Sequence, residues 1–322
     1  MNENALELPI LIASSVVRGA RQGDSHGGLY LLDFAEQEIH QVLDWNTGDI
    51  DWQGRGWDRG LRGIAFFAGE VYVAASDELF VYDTAFRLQR SFRSTYLKHC
   101  HEIHVLNNHL YLTSTVNDSI LAFNLERQQF FWAIHLSRDD GGAYHGIPYD
   151  PNGIDGPGGA NGPAPENRLH LNSVYADDTG LYASGLRSGG LLRIGSDNTV
   201  RLLAELPDGT HNARPFQDGI LYNDTASDLV RLDRRDGSAV TFAVPQYPSD
   251  ELTNLDLGDE QVARQGFGRG LCAVNDRFIA AGSSPSTVSL YDLATGSDVM
   301  RVNFSQDVRN AIHGLEVWPF TR

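Results

Sequence analysis

Short apolar runs recur along the whole chain, each opened by small or polar residues and closed by Asp, Asn or Gly. They are Gly27–Asp33 (GGLYLLD), Asp77–Asp83 (DELFVYD), Asp118–Asn124 (DSILAFN), Gly189–Gly195 (GGLLRIG), Ser227–Asp233 (SDLVRLD) and Ser286–Asp292 (STVSLYD). A second apolar run precedes each: Ile10–Ala13, Val71–Ala75, Leu110–Thr113, Leu181–Ser184, Ile220–Asn223 and Phe278–Gly282. β-rich runs bounded by turn residues at this spacing predict hairpins. Helical periodicity is almost absent.

A third strand is expected ahead of each hairpin: Arg62–Phe67, His101–Leu106, Asn172–Ala176, His211–Phe216, Arg269–Val274 and His313–Trp318. A fourth follows, as in Glu38–Asp44 or Gln129–His135. The intervals from Arg62 to His101 and from Asn172 to His211 are both 39 residues, the size of a propeller blade. The prediction is all-β: one six-bladed β-propeller domain over residues 1–322. The C-terminal run Ala311–Trp318 has nothing after it to pair with and a strand is not stable alone, so it joins the N-terminal Leu8–Ser14. That pairing closes the ring and removes exposed edges.

Two connections into inner strands are long, at 139–167 and 247–266. Long ordered loops in compact domains are often lids, and these are expected at the mouth of a central tunnel. Tyr144 and His145 are flanked by glycines that would let them move into it.

Aligning the inner strands on Ile64, Ile103, Val174, Ala213, Leu271 and Leu315 and stepping back two positions gives Arg62, His101, Asn172, His211, Arg269 and His313. Histidines occupy alternate blades. In a six-fold ring, three such imidazoles converge on the axis as a facial metal site with open positions. One divalent metal is therefore expected on His101, His211 and His313, with zinc first and iron, manganese or copper open, since no thiolate is at hand. His104 and His170 lie near the ring; His170 shares the face of Asn172 and is a rim candidate. Arg62 and Arg269 suit an anionic group, because a guanidinium donates two hydrogen bonds to a carboxylate. Candidate proton acceptors are Glu102, Asp224, Tyr144 and His145, each with a plain structural role as the alternative.

The formal charge of −17 argues against nucleic acid or anionic membrane as partner. The expected partner is a small anionic substrate. The two cysteines, Cys100 and Cys272, form no metal or disulfide pattern, and Met1–Leu8 is acidic with no signal-peptide character. No apolar stretch reaches membrane-spanning length. The expected location is cytoplasmic.

In type and order, the ring resembles peptidyl-α-hydroxyglycine α-amidating lyase, a six-bladed propeller holding zinc by three histidines. That family runs Arg, His, Tyr, His, Arg, His; here the positions are Arg62, His101, Asn172, His211, Arg269 and His313. Asn172 stands where the family has the tyrosine that is its expected base. The resemblance implies a metal-dependent lyase or hydrolase acting on a small carboxylate-bearing compound, not peptide amidation. Gluconolactonase-like propellers, calcium-dependent lactonases, offer an alternative, for which Glu102, Asn172, Asn223 and Asp224 supply the residue types. A non-catalytic binding module is the third reading, since fold alone does not fix function.

Overall fold

The computed structural model describes residues 8–20, 23–46, 60–153, 162–256 and 264–321. The fold is a six-bladed β-propeller built almost wholly of strands. In chain order the strands are β1 (Leu11–Val17), β2 (Gly27–Asp33), β3 (Glu38–Asp44), β4 (Ile64–Phe67), β5 (Glu70–Ala75), β6 (Glu78–Tyr82) and β7 (Leu88–Arg93). There follow β8 (Ile103–Leu106), β9 (His109–Ser114), β10 (Ser119–Asn124), β11 (Gln129–Arg138), β12 (Tyr144–Tyr149), β13 (Leu171–Asp177), β14 (Gly180–Gly185), β15 (Gly190–Ile194) and β16 (Val200–Glu205). The last are β17 (Thr210–Phe216), β18 (Gly219–Asp224), β19 (Leu229–Arg234), β20 (Ala239–Ala243), β21 (Leu271–Ala273), β22 (Phe278–Ser283), β23 (Thr287–Asp292), β24 (Ser297–Asn303) and β25 (Asn310–Val317).

Antiparallel blades run β4–β7, β8–β12, β13–β16, β17–β20 and β21–β24, called first to fifth here. The sixth has the order β25-β1-β2-β3. Leu11 faces Val317 and Val16 faces Ala311, so the expected pairing of the two ends of the chain is present.

The chain divides into two compact units, Met1–Leu61 with Val240–Arg322, and Arg62–Ala239. In the first unit, Leu11, Leu32, Phe34, Val288, Leu290, Ile312 and Leu315 form the core between the fifth and sixth blades. In the second, Leu79, Val81, Ile103, Leu112, Leu121 and Phe123 join the first and second blades, and Ile134, Leu171, Val174 and Leu192 the second and third. Each such side chain stabilises the fold by about 1.5–3 kcal/mol relative to exposure. Burial follows position in the blade. Middle strands packed on both faces read as continuous apolar runs (β5, EVYVAA), whereas an outer strand alternates with solvent (β7, LQRSFR).

Inner-strand ends are less regular than their sequences imply. Arg62, His101 and Arg269 lie two residues ahead of β4, β8 and β21. Asn172, His211 and His313 lie inside β13, β17 and β25, where the ladders to β14, β18 and β1 shift register. Bulges of this kind bend a strand and re-aim its side chains.

The expected lid at 139–167 is corrected in part. Tyr144–Tyr149 is β12, a fifth strand paired with β11 at the outer edge of the second blade. Its backbone hydrogen bonds go to the sheet, which fixes what the glycines suggested would move. Positions 154–161 of that segment lie outside the described residues. So do 257–263 of the second expected lid; its described part carries an isolated bridge from Thr253 to Asp307.

Candidate functional site

Four of the six ring positions, Arg62, His101, Asn172 and His211, belong to the second unit. Immediately after each ring position stands a small or turn-forming residue in five strands: Gly63, Ser173, Asn212, Gly270 and Gly314. The second blade has Glu102.

A side chain at that position meets the neighbouring blade. A Cβ on Gly63 would fall 2.6 Å from the Ile103 nitrogen and 3.0 Å from Glu102 backbone atoms, so only glycine allows the first blade's approach. Glu102 instead reaches toward the third and fourth blades. Its Oε2 accepts a hydrogen bond from the Val174 backbone N–H at 3.3 Å. Its Oε1 accepts one from Asn212 Nδ2 at 3.1 Å and lies 3.5 Å from Arg214 Nη2. Asn212 Oδ1 in turn accepts from Asn223 Nδ2 at 3.0 Å.

Asn212 reaches Glu102 because it occupies the bulge of β17. Its φ of +54° is left-handed, a region that Asn tolerates better than most residues. Thr113 fixes the other side: its Oγ1 accepts the N–H groups of His101 and Glu102 at 2.9 and 3.1 Å.

The carboxyl side chain of Glu102 is 14% exposed and the Arg214 side chain 10%. Burial pushes the Glu102 carboxyl above its ordinary value, while the charge of Arg214 and the hydrogen bond from Asn212 pull back. Arg214 lies over the Tyr175 ring at 5.7 Å. His104 packs on the same ring and donates from Nε2 to the Ala176 carbonyl at 3.0 Å. Burial and the Arg214 charge drive His104 down to about 4, which keeps it neutral. Cys100 is buried and its thiol is pushed up to about 12, so it is no nucleophile.

Asn172 Nδ2 donates to the Thr210 carbonyl at 3.0 Å. His211 donates from Nδ1 to the Gly209 carbonyl at 3.0 Å, which puts its lone pair on Nε2. His101 lies against His170, ring centroids 5.6 Å apart.

The first unit holds the other two ring positions. There Arg269 Nη1 donates to His313 Nε2 at 2.9 Å, and the guanidinium lies over the Phe267 ring at 4.4 Å. A guanidinium has no acceptor, so the Nε2 lone pair of His313 receives the hydrogen bond from Arg269. Among the described residues, no group of three or more His, Cys, Asp or Glu side chains is placed to hold a metal ion.

Tyr144 lies on β12, the outermost strand of the second blade. Its hydroxyl donates to the Ser188 carbonyl at 2.6 Å, and its ring packs against the core cluster of the second and third blades. His145 pairs with Asp139 at 2.8 Å. Asp224 accepts from the Ser227 N–H and lies 3.7 Å from Arg231, a turn role. Sequence reasoning missed Asn212, Arg214 and Thr113. The signal available for the first was a carboxamide at a position that is glycine in three of the other blades. A groove of 860 Å³ in the second unit, lined by His109, Trp132, Asp177 and Arg193 among others, includes none of the ring residues.

No protein-family model matches the chain, and no curated protein matches it in sequence. Among solved structures it is similar to a protein of unknown function from Bacteroides caccae, with TM-score 0.57 and 10% identity over 96% of this chain and 98% of that one. A structure of the nidogen/laminin complex gives TM-score 0.57 and 12% identity over 95% and 97% of the two chains. Catalytically inactive virginiamycin B lyase from Staphylococcus aureus, with quinupristin, gives TM-score 0.46 and 10% identity over 77% and 71%. At identities this low, the two neighbours with TM-score 0.57 speak to the fold alone.

Proposed function

We propose that this propeller is a hydrolase or lyase acting on a small carboxylate-bearing compound at the inner-strand ends of its second unit, with Glu102 as the acid–base group. The observation that carries the reading is the setting of Glu102. It is the one carboxyl at a position that is Gly, Ser or Asn in the other five blades, and desolvation holds it above its ordinary value. A carboxyl in that state exchanges protons closer to neutral pH than a solvated one. Its donors from Asn212 and Val174 fix the plane in which it works. In a hydrolysis the carboxylate takes a proton from the attacking water and returns it to the leaving oxygen. Arg62 is buried beside Gly63, which abuts the Glu102 backbone, and its guanidinium suits the substrate carboxylate.

Turnover of a panel of carboxylate-bearing lactones, esters and hydroxy-acid derivatives tests this. E102Q is expected to lower the rate about 10²–10⁴-fold. A panel with no turnover sinks the catalytic reading in favour of a binding module. Turnover that survives E102Q removes Glu102 from the chemistry.

A second reading, the calcium-dependent lactonase, is favoured by two atoms. Asn172 Oδ1 and Asn223 Oδ1 are buried acceptors with no hydrogen-bond partner. With Glu102 they would supply the hard oxygen donors that calcium takes. Asp224, tied to its turn, would not. Terbium luminescence, lost in N172A and N223A, is the expected sign; indifference to both variants sinks this reading.

A further inference from the structure

We infer that Asn223 is a positioning residue for Glu102, acting through the carboxamide of Asn212. Its role rests on the acid–base reading of Glu102. Asn223 lies on β18, paired with His211 of β17 on one side and Val230 of β19 on the other. It is wholly buried. Its Nδ2 donates to Asn212 Oδ1 at 3.0 Å, and Asn212 Nδ2 donates to Glu102 Oε1 at 3.1 Å.

The same place in other blades carries something smaller. Across the ladder from the residue after the ring position stand Ala74 in the first blade, Thr113 in the second, Ser184 in the third and Gly282 in the fifth. In the fourth, where β17 bulges at Asn212, the corresponding residue of β18 is Asn223. Thr113 holds the backbone of Glu102 from its own blade. From the corresponding place two blades on, Asn223 holds the side chain that reaches the Glu102 carboxyl. Backbone and carboxyl are thus fixed from two different sheets.

The chemistry of the relay follows from the amide. A carboxamide has a donating end and an accepting end of nearly equal size, so either end of Asn212 fits beside Glu102. An amide oxygen against a carboxylate is repulsive and is tolerated only when the carboxyl holds a proton. The bond from Asn223 engages Oδ1, which turns Nδ2 to the carboxylate. The ionised form is then favoured, against burial, which favours the protonated one. Arg214 of β17 faces the same carboxyl, 3.5 Å from Oε1, and the Cys100 thiol interacts with it electrostatically. The first stays charged and the second neutral over the range in which a carboxyl titrates.

The test is carbon NMR of the full chain labelled in its glutamate carboxyls, with the Glu102 signal assigned by its loss in E102Q. N223L, close to asparagine in shape, removes the donor from Asn212 Oδ1. It is expected to raise the proton affinity of Glu102 about threefold or more, in the direction of N212A. N212A/N223L should match N212A alone, because the effect of Asn223 passes through the side chain that N212A removes. Near-ultraviolet circular dichroism checks that each variant is folded. The unaltered protein gives a second reading through its side-chain amide signals, assigned by their loss in N212A and N223L. Those of Asn212 and Asn223 should move with pH on one curve and stay flat in E102Q. A Glu102 titration unmoved by N223L overturns the inference. So does a double variant in which the two shifts add in full, or an Asn223 amide that ignores the Glu102 titration. Turnover that survives E102Q sinks the acid–base reading without touching these titrations, so the two failures are distinguishable.

Discussion

The Glu102 cluster of the second unit and the Arg269–His313 pair of the first solve one problem in opposite ways. Both place an ionisable side chain at the start of an inner strand and bury it. At Glu102 the charge belongs to the residue after the ring position, and the fold surrounds it with Asn212, Val174 and Arg214. At Arg269 the charge belongs to the ring position itself. The residues that follow, Gly270 and Gly314, carry no side chain, and the guanidinium is shared with a neutral imidazole and a phenyl face. A buried anion with several donors can hold or release a proton. A guanidinium cannot, so the second arrangement positions and attracts but does not titrate. On the proposed reading, acid–base work would fall to one unit, although candidate ring residues are present in both.

Removing Arg214 breaks this contrast most severely. R214M leaves Glu102 mostly buried without its cation, and about 3–5 kcal/mol of stability is expected to go at pH 8. The pH dependence has a definite sign. Burial raises the folded carboxyl above its ordinary 4.5, so the native state holds the extra proton. The stability from that proton is fully present below about 4.5 and is lost as pH rises through the folded value. R214M lifts the folded value further, so its deficit is small at pH 5 and large at pH 8. E102Q/R214M recovers most of the loss and flattens the profile. Denaturant unfolding at the two pH values measures this. An equal deficit at both would mean that Arg214 acts through packing on Tyr175 rather than through charge.

The strand plan needed only local information, which is why it was legible. STVSLYD and AIHGLEVW have the alternation and turn residues of strands wherever they lie, and the pairing of Leu11 with Val317 follows from two runs without mates. The candidate ring positions were named from the apolar register that the inner strands share. The partners of Glu102 were not. Asn212 is 110 residues away, and its approach depends on a bulge between His211 and Arg214 that no periodicity announces. β12 was misread for a local reason. Tyr144–Tyr149 (YHGIPY) contains glycine and proline, which mark loops in sequence but are tolerated in a strand at the edge of a sheet.

His313 gives a smaller effect in the other unit. H313L leaves Arg269 Nη1 without its imidazole acceptor, and about 1.5–3 kcal/mol of destabilisation is expected for losing a hydrogen bond to a charged group. H313Q keeps an acceptor oxygen and recovers about half. Thermal unfolding of the two variants gives the difference. Equal losses would show that the imidazole matters there for volume and not for its lone pair.

The smallest effects separate the two units by backbone alone. Gly270 and Asn212 occupy the same position after the ring, with φ of +73° and +54°. A Cβ at Gly270 would sit 3.1 Å from Ile312 Cγ2 and 3.2 Å from the His313 carbonyl, so G270A adds crowding to left-handed strain and should cost about 1–2 kcal/mol. At position 212 the direction reverses for glycine. N212G relieves about 1 kcal/mol of backbone strain but loses the hydrogen bonds to Glu102 and from Asn223, for a net loss of about 1–2 kcal/mol. N212A loses the same bonds without the relief, so it should be about 1 kcal/mol less stable than N212G. Both variants remove a donor from the carboxylate, and its titration by carbon NMR should move upward alike in each. If N212G moves that titration while costing less stability than N212A, the left-handed asparagine is retained for what it does to Glu102. If neither variant moves it, the bulge serves packing, and the two units differ less than their hydrogen bonds suggest.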